Sequence, residues 1–281
     1  MKRILLIFLI IAGGYVLFTT VGNLFGSDNS KVKVSNKIDH IEFDVSSAKL
    51  NIIPDNRKDL EANLEGRGKL NVDESGDTIT VSHERKWFEW LPFFNTSTLT
   101  VYIPEDYNKD MLIDIGSGNV NFAGKSASDP FELENLTLDM SSGNVNLTNL
   151  VVNEFVHDGS SGNLNVKSLE TKTSSIDISS GNVKIADFTG KLEADLSSGK
   201  LEVQMKELIN SVNIDVSSGN VQLDLPDEAD FTLEGDMGSG NFSYDYPLTV
   251  EKEDNHEIRG THGTGEHKIE VEVSSGNVKI Y

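Results

Sequence analysis

The sequence predicts an all-β protein, a parallel β-solenoid built from coils of about 19 residues. Three observations predict it: a corner signature that recurs, a nearly fixed spacing between copies, and apolar columns that hold across them. The signature reads Gly116-Ser117-Gly118-Asn119, Ser141-Ser142-Gly143-Asn144, Ser160-Ser161-Gly162-Asn163 and Ser179-Ser180-Gly181-Asn182. It continues as Ser197-Ser198-Gly199-Lys200, Ser217-Ser218-Gly219-Asn220, Gly238-Ser239-Gly240-Asn241 and Ser274-Ser275-Gly276-Asn277, and a worn copy, Ser46-Ser47-Ala48-Lys49, precedes them. Successive glycines lie 25, 19, 19, 18, 20, 21 and 36 residues apart. Units of such a period bury their apolar face only by stacking on one another.

The chain opens with Lys2 and Arg3, then an uncharged run from Ile4 to Phe25. As a helix of 22 residues it would reach roughly 33 Å, enough to cross a bilayer core. Residues 1–27 are therefore expected to be a transmembrane anchor. The two basic residues favour a cytoplasmic N-terminus, with everything beyond on the other side of the membrane. A cleaved signal peptide is the competing reading, although no small-x-small cleavage site follows the apolar run. A linker, residues 28–37, would lead to a β cap region at 38–110 with weaker, irregular strands.

Within that cap region lies Trp87-Phe88-Glu89-Trp90-Leu91-Pro92-Phe93-Phe94, which holds both tryptophans of the protein. Covering the exposed end of a solenoid core is the simplest role for such a segment. An interfacial or ligand-binding loop is the sharper one, with Trp87, Phe88, Trp90, Phe93 and Phe94 as the contact residues.

The repeat proper should span residues 111–281. In Ile176-Asp-Ile-Ser-Ser-Gly-Asn-Val-Lys-Ile185, apolar and polar residues alternate on both sides of the corner, as in two half-buried strands. The column two residues after each glycine reads Val120, Val145, Leu164, Val183, Leu201, Val221, Phe242, Val278, and the column four after reads Phe122, Leu147, Val166, Ile185, Val203, Leu223, Tyr244, Ile280. Gly118, Gly143, Gly162, Gly181, Gly199, Gly219, Gly240 and Gly276 are the turn residues, since glycine adopts φ > 0 without strain. The asparagines that follow them could hydrogen-bond along the stack. An antiparallel meander with Gly-Asn hairpin turns is the alternative architecture. Whole columns of like residues favour parallel stacking, which alone brings equivalent positions together.

An acid stands four residues before each glycine: Asp114, Asp139, Asp158, Asp177, Asp195, Asp215, Asp236 and Glu272, with Asp44 before the worn copy. An outward, solvated column is the first expectation. A divalent-cation ladder would need converging oxygens from adjacent coils. In the third copy His157 and Gly159 replace apolar residues, so that coil should be distorted. A polar insertion, residues 251–267, precedes the last corner; the spacing of its His256, His262 and His267 matches no standard metal motif. The chain then stops at Tyr281, and its last strand is expected to present a free edge to a partner.

There is no cysteine, which excludes a lipoprotein anchor, disulfides, thiolate metal sites and thiol nucleophiles. The net charge is −21, and −23 without Lys2 and Arg3, so nucleic acid is not an expected partner.

The repeated corners, Leu223-Asp-Leu-Pro226, Val101-Tyr-Ile-Pro104 and the closing Lys268-Ile-Glu-Val-Glu-Val-Ser-Ser-Gly-Asn-Val-Lys-Ile280 resemble the bacterial "putative adhesin" family of β-repeat domains. With the N-terminal anchor, the chain is similar to LiaG-type proteins associated with envelope-stress operons in Gram-positive bacteria. The resemblance covers roughly residues 38–281. It implies a β-repeat fold, a cell-membrane location and a link to envelope stress, and supplies no catalytic residues. The expectation is a non-enzymatic binding or scaffold element of the cell envelope that needs no cofactor. Its expected partners are envelope proteins, with a cell-wall polymer as a further candidate. A surface adhesin or an enzyme on envelope polysaccharide is the alternative.

Overall fold

The computed structural model describes residues 31–66, 68–84, 97–254 and 256–281. The expected anchor, Ile4–Phe25, and the aromatic residues Trp87, Phe88, Trp90, Phe93 and Phe94 lie outside the described residues. Among the described residues no helix is long and apolar enough to cross a membrane.

Period-two alternation produces strands throughout. In chain order they are β1 (Lys31–Lys33), β2 (His40–Asp55), β3 (Asp59–Glu65), β4 (Lys69–Ser75), β5 (Thr78–Glu84), β6 (Thr98–Pro104) and β7 (Asp110–Ala123). There follow β8 (Phe131–Glu207), β9 (Val212–Asp224), β10 (Phe231–Tyr244), β11 (Thr249–Glu253), β12 (Glu257–His262) and β13 (His267–Ile280). β8 is one continuous extended stretch that carries the corners at Gly143, Gly162, Gly181 and Gly199.

The stacking is parallel and in register. Ala48 pairs Gly118, Gly118 pairs Gly143, Gly199 pairs Gly219, Gly219 pairs Gly276, and Gly276 pairs Gly240. The antiparallel meander is thereby excluded: the Gly-Asn corners turn the chain within a coil and do not fold one strand back on the next. A second bend follows six residues after the glycine, where Asn149, Ser168 and Asp187 adopt φ of 55°, 58° and 54°. Between this bend and the next acid column lies a third side of the coil, on which Leu169, Phe188 and Leu192 are buried.

The order of coils in space departs from the order in sequence. β13 lies between β9 and β10. The expectation that the last strand offers a free edge is therefore corrected: the C-terminal strand is interior, and β10 forms the last coil. The returning turn is held by Asp230, whose carboxylate accepts the backbone N–H groups of Thr264 at 2.9 Å and Glu266 at 2.8 Å. These bonds hold its pKa down at about 2. At the other end, β5 and β6 together form the outermost coil, each parallel to one half of β2.

Antiparallel strands close the ends. β4 lies on β5 and β3 on β6, with β1 beyond β3, so Lys31–Lys33 belongs to the sheet. At the far end β12 lies on Phe231–Asp236 of β10 and β11 on β12, so the 251–267 insertion is largely a hairpin.

The core is the set of inward columns. From Val120 to Val278 and from Phe122 to Ile280, each member except those of β10 is at most 3% exposed. Burying one such aliphatic side chain contributes about 1.5–3 kcal/mol, so the columns dominate the stability of the stack.

The third copy is not distorted. His157 is 1% exposed, and its imidazole fills the volume that Gly159 leaves empty: a Cβ on Gly159 would lie 3.1 Å from His157 Nε2. The corner that follows is regular, with Gly162 at φ 133°.

Candidate functional site

Corner geometry sets everything displayed on the surface. All eight corner glycines have φ between 128° and 159°. At Gly199 a Cβ would run into the carbonyl oxygen of Gly181 on the coil beneath. Glycine is therefore required both by its own backbone angle and by the neighbour's backbone. The asparagines beside the glycines form ladders. Nδ2 of Asn144 donates to Oδ1 of Asn119 at 3.1 Å, Asn163 to Asn144 at 2.6 Å and Asn182 to Asn163 at 2.9 Å. Lys200 interrupts the ladder and pairs with Glu202 instead. It resumes as Asn277 to Asn220 at 2.9 Å and Asn241 to Asn277 at 3.2 Å. A second ladder, which the sequence reading did not single out, joins Asn51, Asn121, Asn146 and Asn165.

The acid column faces outward on the side of the coil that precedes the corner. Asp44 pairs Asp114, Asp114 pairs Asp139, Asp195 pairs Asp215, Asp215 pairs Glu272, and Glu272 pairs Asp236. Each acid thus stacks on another acid, and the carboxyls respond. Burial, with the Asp139 and Asp44 charges second, pushes Asp114 up to about 6. Asp158 is raised by burial and then by Asp139 and Asp177, and Asp195 by burial and then by Asp215. Among the described residues no three His, Asp or Glu side chains are grouped to hold a metal ion. The histidines of the insertion go separate ways: His256 Nδ1 lies 3.0 Å from the Met237 carbonyl and His262 Nδ1 3.0 Å from that of Pro247.

His157 is a titratable group buried inside the core. Its Nδ1 donates to the Leu138 carbonyl at 3.1 Å, and its buried Nε2 has no partner. Burial lowers its pKa from 6.5 to about 4, so the ring is neutral at physiological pH.

At the far end, β10 bends past its corner and leaves a cleft of about 250 Å³ against the β11–β12 turn. Gly240, Asn241, Phe242 and Tyr244 form one wall, and Glu253, Asp254, His256 and Glu257 the other. The Tyr244 hydroxyl lies 3.4 Å from a Glu253 carboxylate oxygen. Sequence reasoning placed Phe242 and Tyr244 in the core columns; only the order of coils in space shows that these columns end there.

Residues 38–281 match the Toastrack DUF4097 family. The chain belongs to that family. No curated protein matches it in sequence. The Toastrack fold of this chain is similar to a crystal structure described as a "putative adhesin" from Bacteroides fragilis, with 14% identity and a TM-score of 0.50 over 89% of this chain and 95% of the other. A "putative adhesin" from Parabacteroides distasonis matches with 12% identity and a TM-score of 0.43, over 89% and 95% of the two chains. A "putative cell adhesion protein" from Clostridium sporogenes matches with 12% identity and a TM-score of 0.25, over 89% and 98%. In this Toastrack chain the corner glycines stack in one column.

Proposed function

We propose that this Toastrack chain is a non-enzymatic binding or scaffold element of the bacterial cell envelope. The Ile4–Phe25 segment anchors it in the membrane with its N-terminus in the cytoplasm, and the β-solenoid stands on the outer side. The observation that carries the reading is the outward acid column, in which each carboxyl stacks on another acid along the whole length of the stack. A glycosidase needs two carboxyls with separated roles in a cleft, whereas an evenly repeated row presents one continuous face. The B. fragilis structure, described as a "putative adhesin", is consistent with a surface role and favours adhesion as the second reading. The resemblance to LiaG-type proteins extends the proposal to envelope stress.

The test is site-specific photocrosslinking of the full chain in intact cells, with the reactive side chain placed along the acid face and at the β10 end. Adducts to envelope components support the reading. Hydrolysis of envelope polysaccharide by the purified full chain, abolished by Asp→Asn changes in the acid column, would overturn it. A reporter fused after Tyr281 should be active only outside the cytoplasm; activity inside would reverse the proposed orientation.

A further inference from the structure

One stretch of the terminal coils has no neighbour among the described strands. At the N-terminal end β4 covers β5 and β3 covers β6. At the far end β12 covers only Phe231–Asp236 of β10. Beyond the corner, Gly240–Tyr244 pairs β13 on one edge, and no described strand lies on the other. Asp245 N–H donates to the Ile280 carbonyl at 2.9 Å, which fixes the alternation of the backbone groups. The N–H and C=O groups of Phe242 and Tyr244 therefore point outward.

Side chains tell the same story. Val221 and Val278 are 1% and 2% exposed, and Leu223 and Ile280 are fully buried, while Phe242 and Tyr244, next in these columns, are only partly covered. Asn241 donates to Asn277, so its own Oδ1 ends the ladder as an acceptor with no donor above it among the described residues. Other outer edges are defended differently. β11 reads Thr-Val-Glu-Lys-Glu and is exposed along its length, and β1 is three residues flanked by lysines. Charge on an edge discourages pairing; the β10 edge instead offers two aromatics.

Its surroundings select the partner. Glu253, Asp254 and Glu257 line the opposite wall, Asp254 and Glu257 sharing Lys252 and Glu257 also meeting Arg259, and residues 231–281 hold ten acidic and four basic residues, so a net −6 remains. We propose that the outer edge of Gly240–Tyr244 takes up an extended basic segment of a partner protein by strand addition. The added strand extends the sheet through the Phe242 and Tyr244 backbone groups and lays its alternate apolar side chains on their rings. Its outward lysine or arginine side chains meet the acidic wall and the Asn241 acceptor. A second copy of this chain would bring the same acidic rim and is disfavoured by charge. The inference rests on the binding reading above and names the surface that does the binding.

The probe is a fluorescent ten-residue peptide of alternating lysine and valine, titrated onto the full chain at 0.15 M salt. Two controls accompany it: a peptide of equal charge with proline at every second position, and one with glutamate in place of lysine. Binding of the first peptide, weakened at least tenfold in both controls, is the expected result. Tyr244→Pro, which removes an outward N–H, and Glu253→Lys, which reverses the wall, should each weaken it at least fivefold. Thermal melting of both variants shows whether each is folded, and Glu253→Lys, which leaves the backbone groups in place, carries the test if Tyr244→Pro misfolds. Equal binding of the proline control reduces the effect to charge attraction and overturns the proposal. So does a dimer of the unmodified chain that Tyr244→Pro dissolves, because the edge is then filled by a second copy. If no peptide binds while photocrosslinks to envelope proteins persist elsewhere on the chain, strand addition is wrong and the scaffold reading stands. Peptide binding without any envelope adduct breaks the scaffold reading and leaves the edge.

Discussion

An interior coil such as the one turning at Gly199 and the last coil, turning at Gly240, carry the same pattern and live in different environments. Around Gly199 each side of the coil meets a near-copy of itself above and below, and Leu201 and Val203 are 0% and 2% exposed. Around Gly240 one neighbour is a coil, and on the other side, past the corner, no described strand pairs it. The pattern alone therefore does not decide what a residue contributes; its neighbour in the stack does. The opposite end makes the point again. Ala48 carries a Cβ at the corner position, and on its outer side the described pairing stops at Val45 and resumes at Lys49, so no described corner lies against it.

The comparison can be broken most forcefully at the glycines. Gly199→Ala would place a Cβ against the Gly181 carbonyl at φ 133°, and should cost about 3–5 kcal/mol in chemical denaturation. Ala48→Gly should change stability by about 1 kcal/mol or less. Comparable losses at the two corners would show that corner geometry, and not the neighbouring backbone, sets the requirement.

Truncating the columns sharpens it next. Leu201→Ala should cost about 3 kcal/mol, as for a fully buried leucine, and Phe242→Ala about 1 kcal/mol. Equal costs would mean that the β10 end is as well covered as the interior.

Acidity separates the inner and outer faces. The unfolded chain protonates His157 near 6.5 and the folded chain only near 4. Stability supplied by the neutral ring is therefore lost as pH falls from 6.5 towards 4, on the order of 3 kcal/mol in full. Asp114 acts in the opposite direction. Its folded value near 6 lies above its ordinary 3.8, so the folded state takes up that proton first and gains stability as pH falls through 6. Because this carboxyl is partly solvated, the gain is about 1 kcal/mol. Melting temperature should thus drop between pH 7 and 4.5. His157→Leu should remove the drop, and Asp114→Asn should deepen it; an unchanged profile in His157→Leu would exonerate the buried ring.

The smallest effect concerns the broken ladder. Lys200→Asn should reconnect Asn182 with Asn220 and add about 0.5 kcal/mol, after the loss of a surface pair with Glu202 worth a few tenths. A melting temperature raised by about 1–2 °C is the expected reading.

The columns, the corners and the first asparagine ladder were all legible in the sequence, because parallel stacking makes each of them a vertical repeat. The coil order was not. Every Ser-Ser-Gly-Asn corner is complementary to every other, so the repeat that makes the stack possible says nothing about which copy sits on which. Gly276 fits on Gly219 as well as Gly240 would have done. The one trace was the spacing of 36 residues before Gly276, long enough for a hairpin and a return, and it reads equally well as an insertion in a loop. His157 misled for a related reason: the imidazole and the missing side chain of Gly159 compensate each other two residues apart on the same face, and each alone looks like a defect.

The strand wedged between β9 and β10 also sets a schedule. A solenoid assembled in sequence order could settle coil by coil as it left the ribosome. Here the coil of β10 is made before the one it must rest on. Until the 14 residues of β13 exist, the chain holds a gap one strand wide between the coils of β9 and β10, with an apolar column open on either side. Completion is thus tied to β13, and a chain cut short before that strand is left visibly unfinished, its two neighbouring coils still apart.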